Sequence, residues 1–122
     1  MRHLKLVFSL LFMFAAGAAS AQSGKIEVQW LGQSATKITT ATGKVIVIDP
    51  FLINNPKTPP EYKKLEALGK VDLILVTHGH FDHFADAPAL AKLNNAPMWG
   101  PAGMNQAVVT LGILPVELAP RF

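Results

Sequence analysis

Residues Thr77-His78-Gly79-His80-Phe81-Asp82-His83 gather three of the four histidines in the chain within six positions, beside an aspartate. They follow directly on Val71 to Val76, a mostly apolar and β-branched stretch whose length favours a buried strand over a helix. In an extended segment alternate side chains share a face, so the imidazoles of His78 and His80 can converge on one point. Asp82 and His83 arrive as the chain turns toward the next helix, which can aim them at a second point nearby. Gly79 is expected to permit tight backbone geometry between the first two donors. Neutral imidazole and carboxylate together suit zinc, and also manganese or iron. A lone buried histidine is usually a satisfied core residue and an exposed polar loop is usually only solvated. Neither reading accounts for H-x-H-x-D-H at the end of an apolar strand, where α/β folds commonly carry their sites.

The elements that must position this loop can be read on both sides of it. Lys25 to Trp30 alternates between polar and apolar, Ala35 to Thr40 is rich in β-branched residues, and Val45 to Ile48 is continuously apolar. Thr42-Gly43 reads as a hairpin turn, so these strands are expected to be adjacent and antiparallel. Asp49-Pro50 closes the third. Thr58-x-x-Glu61 has capping-box spacing with Pro59 at a first helical position, which predicts a short helix to about Leu68, stopped by Gly69. Beyond the cluster a helix is expected from Asp86-Ala87-Pro88 to Asn94 or Asn95. A short strand at Pro97 to Gly100, a helix from Met104 to Leu111 and a last strand over Ile113 to Leu118 follow. A strand meander followed by alternating strand and helix is an α/β layer.

Composition narrows the function classes. The chain has 122 residues, room for one modest domain. Arg2, His3 and Lys5 precede an apolar run from Leu6 to Ala19, and Ala19-Ser20-Ala21 supplies a small-residue cleavage site. Residues 1–21 therefore read as a secretory signal peptide, against the alternative of an uncleaved anchor, for which the run is short. Residues 22–122 would form the mature domain, in the periplasm or secreted, with no stable membrane association after cleavage. Loss of Arg2 and Lys5 takes eleven basic residues to nine against eight acidic, a formal net charge of +1. With no basic stripe and no interleaved aromatics, no nucleic-acid partner is expected. No cysteine is present, which excludes a disulfide framework and thiolate ligands.

The T-H-x-H-x-D-H run resembles the signature of the metallo-β-lactamase superfamily, and Ile48-Asp49-Pro50-Phe51 resembles the aspartate motif that ends an early strand of that fold. Trp30-Leu31-Gly32-Gln33-Ser34, followed by Lys44 to Pro50, is similar to the metal-dependent hydrolase branch that includes the ascorbate-phosphate lactonase-like proteins. Gln33 departs from relatives that carry histidine there, and it is assigned no metal role. The resemblance covers residues 25–122 and implies the N-terminal half of an αββα sandwich, a mixed sheet with flanking helices. It further implies two divalent metal ions, zinc foremost with manganese or iron as alternatives. His78 and His80 would serve one ion and Asp82 and His83 the other, with Asp82 also catalytic, orienting the nucleophile and passing a proton to the leaving group. Asp49 would hold the ligand loop without touching metal; read without the resemblance, it is a strand-end turn residue. Thr77 would bond within the loop or simply end the strand, and Trp30 and Trp99 read as core or wall residues.

The activity so implied is metal-assisted hydrolysis of an ester, lactone, amide or phosphodiester bond in a small-molecule substrate, by a homo-oligomer when complete. A catalytic zinc ordinarily takes three protein ligands; the cluster offers two per ion, and no histidine follows His83. The expectation is therefore an N-terminal fragment, inactive alone, whose other donors and second sheet lie further along. The alternative is a non-catalytic exported metal-binding or interaction module that uses the cluster structurally.

Overall fold

A computed structural model describes residues 24–121, so the leader reading of residues 1–21 falls outside the described part. Five strands, β1 (Glu27–Gly32), β2 (Ala35–Thr39), β3 (Val45–Ile48), β4 (Leu73–Leu75) and β5 (Met98–Trp99), form one sheet in the order β1-β2-β3-β4-β5. The first three pair antiparallel as a meander, and β4 and β5 add parallel. Parallel neighbours need crossovers. The first runs through two 3-10 turns, Pro60–Lys63 and Leu65–Leu68; the second runs through helices α1 (Phe81–Phe84) and α2 (Ala87–Asn94). Helix α3 (Ala102–Thr110) follows β5. The sheet is mixed and α/β, as expected.

Two strand faces follow from the register. Lys37, Val47, Ile74 and Met98 lie in one cross-strand row, and Val47, Ile74 and Met98 are fully buried beneath Leu65, Leu68, Leu90, Ala91, Val108 and Leu114. The opposite face carries Val28, Ile38, Ile46 and Leu73 in one row and Trp30, Thr36, Ile48, Leu75 and Trp99 in the next. Val28 and Trp30 there are 66% and 63% exposed. The remaining apolar residues of these rows are half-buried, and a depression of about 760 Å³ opens among Ile48, Leu73, Leu75, Thr77 and Trp99.

Three expectations need correction. The capping box at Thr58 does not form: Thr58 Oγ1 instead donates to the Leu31 carbonyl at 2.8 Å, and the segment closes as 3-10 turns. Buried, that hydroxyl does more by satisfying a strand-end carbonyl than by capping an exposed turn. Ile113 to Leu118 is not a strand but a series of turns, with the Pro115 carbonyl accepting from the Leu118 and Ala119 amides. Proline mid-segment has no N–H to give a ladder. Gly79 is not in a left-handed conformation, and a Cβ there would only meet the Met104 side chain at 3.7 Å, so no tight backbone geometry rests on it.

Among the described residues no helix is long and apolar enough to cross a membrane.

Candidate metal centre

The site is built at the carboxyl ends of two parallel neighbours. Asp49 follows β3, its amide continuing the ladder to the Leu75 carbonyl at 2.9 Å. Its backbone then enters the left-handed region at φ 48°, which few non-glycine residues visit and aspartate adopts more readily than most. This turn directs a carboxylate that is only 3% exposed across to the segment after β4. There it accepts three bonds: from the Thr77 amide at 2.7 Å, the Thr77 hydroxyl at 2.9 Å and His83 Nδ1 at 2.8 Å. The Asp49 side chain is thus spent on holding the loop.

Those bonds fix proton positions. A carboxylate facing His83 Nδ1 makes that nitrogen the N–H donor and leaves Nε2 with its lone pair. Thr77 Oγ1, already donating to Asp49, receives His78 Nδ1–H at 3.0 Å, so His78 Nε2 likewise keeps its lone pair. That Nε2 lies within hydrogen-bond reach of His80 Nδ1, at 2.9 Å. Two nitrogens bound tetrahedrally at 2.0–2.1 Å to one zinc lie about 3.3 Å apart, so this pair is within a few tenths of an ångström of such a bite. The His78 and His83 rings are 4.1 Å apart, centre to centre. Asp82, on α1 and half exposed, has its Oδ2 3.7 Å from His83 Nε2, short of a hydrogen bond. The donor chemistry of imidazole and carboxylate therefore fits a divalent ion. Among the described residues, however, no group of three or more histidine, cysteine or acidic side chains is arranged to hold one.

All of the expected residues, His78, His80, Asp82, His83 and Asp49, lie in this one cluster. Sequence reading missed two others. Ser34, in the turn between β1 and β2, places its hydroxyl 3.1 Å from His83 Nδ1. Asp86, read only as a helix start, makes no side-chain cap; its buried carboxylate accepts the amides of Leu52 at 2.6 Å and Ile53 at 3.0 Å. It clamps the loop that leaves Asp49, where Phe51 packs edge-on against Phe81 at 5.2 Å. An acidic residue two positions before a proline signals a helix start as readily as a clamp, so nothing in its spacing announced this role.

Comparison with known proteins agrees with the fold. The family described as Beta-lactamase superfamily domain matches residues 27–112. The chain belongs to the metallo-β-lactamase superfamily. Within it, the chain is 62% identical over 105 residues to a UPF0173 metal-dependent hydrolase of Cupriavidus necator, covering 86% of this chain and 36% of that protein. It is 66% identical over 104 residues to one of a Polaromonas species, covering 85% of this chain and 38% of the relative. The chain thus spans little more than a third of the length of these relatives. Among solved structures, Igni18, described as a novel metallo hydrolase of Ignicoccus hospitalis, superposes with a TM-score of 0.63 at 25% identity, over 71% of this chain and 36% of its own.

Proposed function

We propose that this chain carries the first part of a two-metal hydrolase centre, with His78 and His80 donating to one divalent ion and Asp82 and His83 to the other. The observation that carries this reading is the Asp49–Thr77 network, which occupies the Nδ1 atoms of both His78 and His83 and leaves each Nε2 with its lone pair. A fold with no ligand to orient has little use for a buried carboxylate serving two imidazoles in this way.

Metal ions of this kind, zinc foremost, supply a nucleophile at neutral pH and polarise the bond to be cleaved. The chain's own residues do the rest. Asp49 and Thr77 fix which ring nitrogens face outward, and Asp82, half exposed, orients the nucleophile and relays a proton to the leaving group. The substrate is a small molecule bearing an ester, lactone, amide or phosphodiester bond. Further donors, and a second sheet over the Trp30–Trp99 face, would come from the part of the relatives' length that this chain does not span. The domain is exported to the periplasm or beyond through the leader of residues 1–21, and the complete enzyme is a homo-oligomer.

Titration of the chain with zinc by calorimetry tests this. Weak binding, lost in His78→Ala and His80→Ala, with little turnover of lactone or phosphodiester probes, is the expected result. Submicromolar affinity with turnover in a monomer would overturn the fragment part of the reading; absence of any zinc binding would overturn the metal part. A second reading, an exported metal-binding or interaction module, draws on the absence of a three-donor group among the described residues. Genomic sequence beyond codon 122 separates the two: a continuing frame with further histidines and an aspartate favours the enzyme.

A further inference from the structure

We propose that Ser34 is a positioning residue for His83, a role that rests on the metal-centre reading above: with Asp49 it holds Nδ1 inward and so presents Nε2 outward. Asp49 Oδ2 lies 2.8 Å from His83 Nδ1 and Ser34 Oγ lies 3.1 Å from the same atom. The two oxygens belong to different elements, one following β3 and the other at the tip of the β1–β2 hairpin. Asp49, with the Thr77 hydroxyl at a longer 3.4 Å, approaches Nδ1 from the β3–β4 side alone and leaves the imidazole some freedom to swing. A second oxygen, fixed from another direction, removes that freedom.

The hairpin tip is built so that Ser34 has a fixed place. The pairing of β1 with β2 shifts register between Trp30 and Gly32, and Gly32 and Gln33 both take positive φ, 108° and 49°. A Cβ on Gly32 would lie 2.8 Å from the Lys57 carbonyl carbon and 2.9 Å from the Thr58 nitrogen, so the tip presses directly on that backbone. Thr58 Oγ1 donates to the Leu31 carbonyl at 2.8 Å, and the Trp30 indole N–H donates to the Gln33 carbonyl at 2.7 Å. Three separate devices pin the residues leading into Ser34, and its hydroxyl points at the ligand loop 49 residues away. A turn needed only to reverse the chain would not require a close approach, a buried threonine bond and an indole bond together.

The test compares the parent chain with Ser34→Ala and Ser34→Thr, each ¹⁵N-labelled at histidine and free of metal. Ring-nitrogen shifts of His83 in the parent should report a proton held on Nδ1. In Ser34→Ala, where Asp49 still holds the proton on Nδ1, they should shift and broaden as the ring gains freedom, and in Ser34→Thr, which keeps the hydroxyl, they should return to the parent values. Zinc titration of the same proteins should show affinity falling roughly 3–10-fold for alanine, at or below the usual range for a partner that orients a ligand, and recovering for threonine. Unchanged shifts and unchanged zinc affinity in Ser34→Ala overturn the proposal. Shifted and broadened His83 lines in Ser34→Ala without zinc binding even in the parent support the positioning role while removing the metal reading. If alanine loosens the hairpin, as circular dichroism would reveal, Ser34→Thr decides. Parent-like shifts and affinity in it support the role; altered ones in an intact hairpin overturn it.

Discussion

The two sides of the histidine loop are held very differently. His78 and His83 each have Nδ1 occupied by an oxygen of the Asp49–Thr77 network, anchored by a carboxylate with almost no solvent contact. His80 and Asp82 have no such anchor: the His80 ring meets His78 Nε2, and Asp82 stands 3.7 Å from His83 with half its side chain in water. Removal of an anchoring group should therefore damage the fold, whereas removal of an unanchored one should damage only ligation. Half of the cluster is set by folding; under the proposed metal reading, the other half would be ordered by a bound ion.

The sharpest way to break that contrast is Asp49→Ala, which strands the Thr77 amide and the His83 imidazole at once. A loss of about 2–4 kcal/mol in urea unfolding is expected, since buried groups deprived of a charged partner bear the full desolvation cost. A loss below about 0.5 kcal/mol, the range of ordinary surface changes, would show that the anchor is not one. Thr77→Val keeps the amide bond but removes the hydroxyl bridge between Asp49 and His78, and should cost about 1–2 kcal/mol in the same measurement.

An anchor of a different sort sits at the other end of the parallel pair, where it calibrates the comparison. The Asp72 carboxyl is held below the ordinary carboxylate range, first by the Val45 amide at 2.9 Å and then by Lys44 at 3.0 Å. A depressed pKa in the folded state gives stability that is present above the unfolded value and lost as pH falls through the folded one. Asp72→Asn should thus be less stable than the parent near neutrality, with the difference vanishing in acid, as thermal melts across pH would record. Least affected should be His80→Ala and Asp82→Ala, within about 0.5 kcal/mol of the parent in stability yet weakened in zinc binding by calorimetry. Should either unfold the domain, the division of the loop into held and free sides fails.

Much of this was legible in the sequence. Val45 to Ile48 was bounded correctly because an apolar run between a turn glycine and Asp49-Pro50 leaves few alternatives, and the histidine cluster stood out by density alone. Ile113 to Leu118 misled because apolar content was weighed above Pro115; Leu114 and Ala119 are buried in turns rather than in a ladder. Ser34 could not be found by spacing, since a serine after a glycine and a glutamine looks like any hairpin turn. Its meaning lies in a contact across 49 residues, which only the folded chain creates. Thr58 shows the same limit: local pattern proposed a cap, while a carbonyl 27 residues earlier took the hydroxyl instead.

The change from antiparallel to parallel pairing at β3 also sets an order of assembly. The β1–β3 meander closes through short turns, which form in about microseconds. The ties between Asp49 and Thr77, by contrast, close a separation of 28 residues and cannot be made until the β3–β4 seam has docked. The histidine loop is then expected among the last parts to become native and the first to be released when the chain opens. Its integrity is governed by how slowly that seam comes apart, so substitutions at Asp49 should appear mainly as faster unfolding, with refolding little changed.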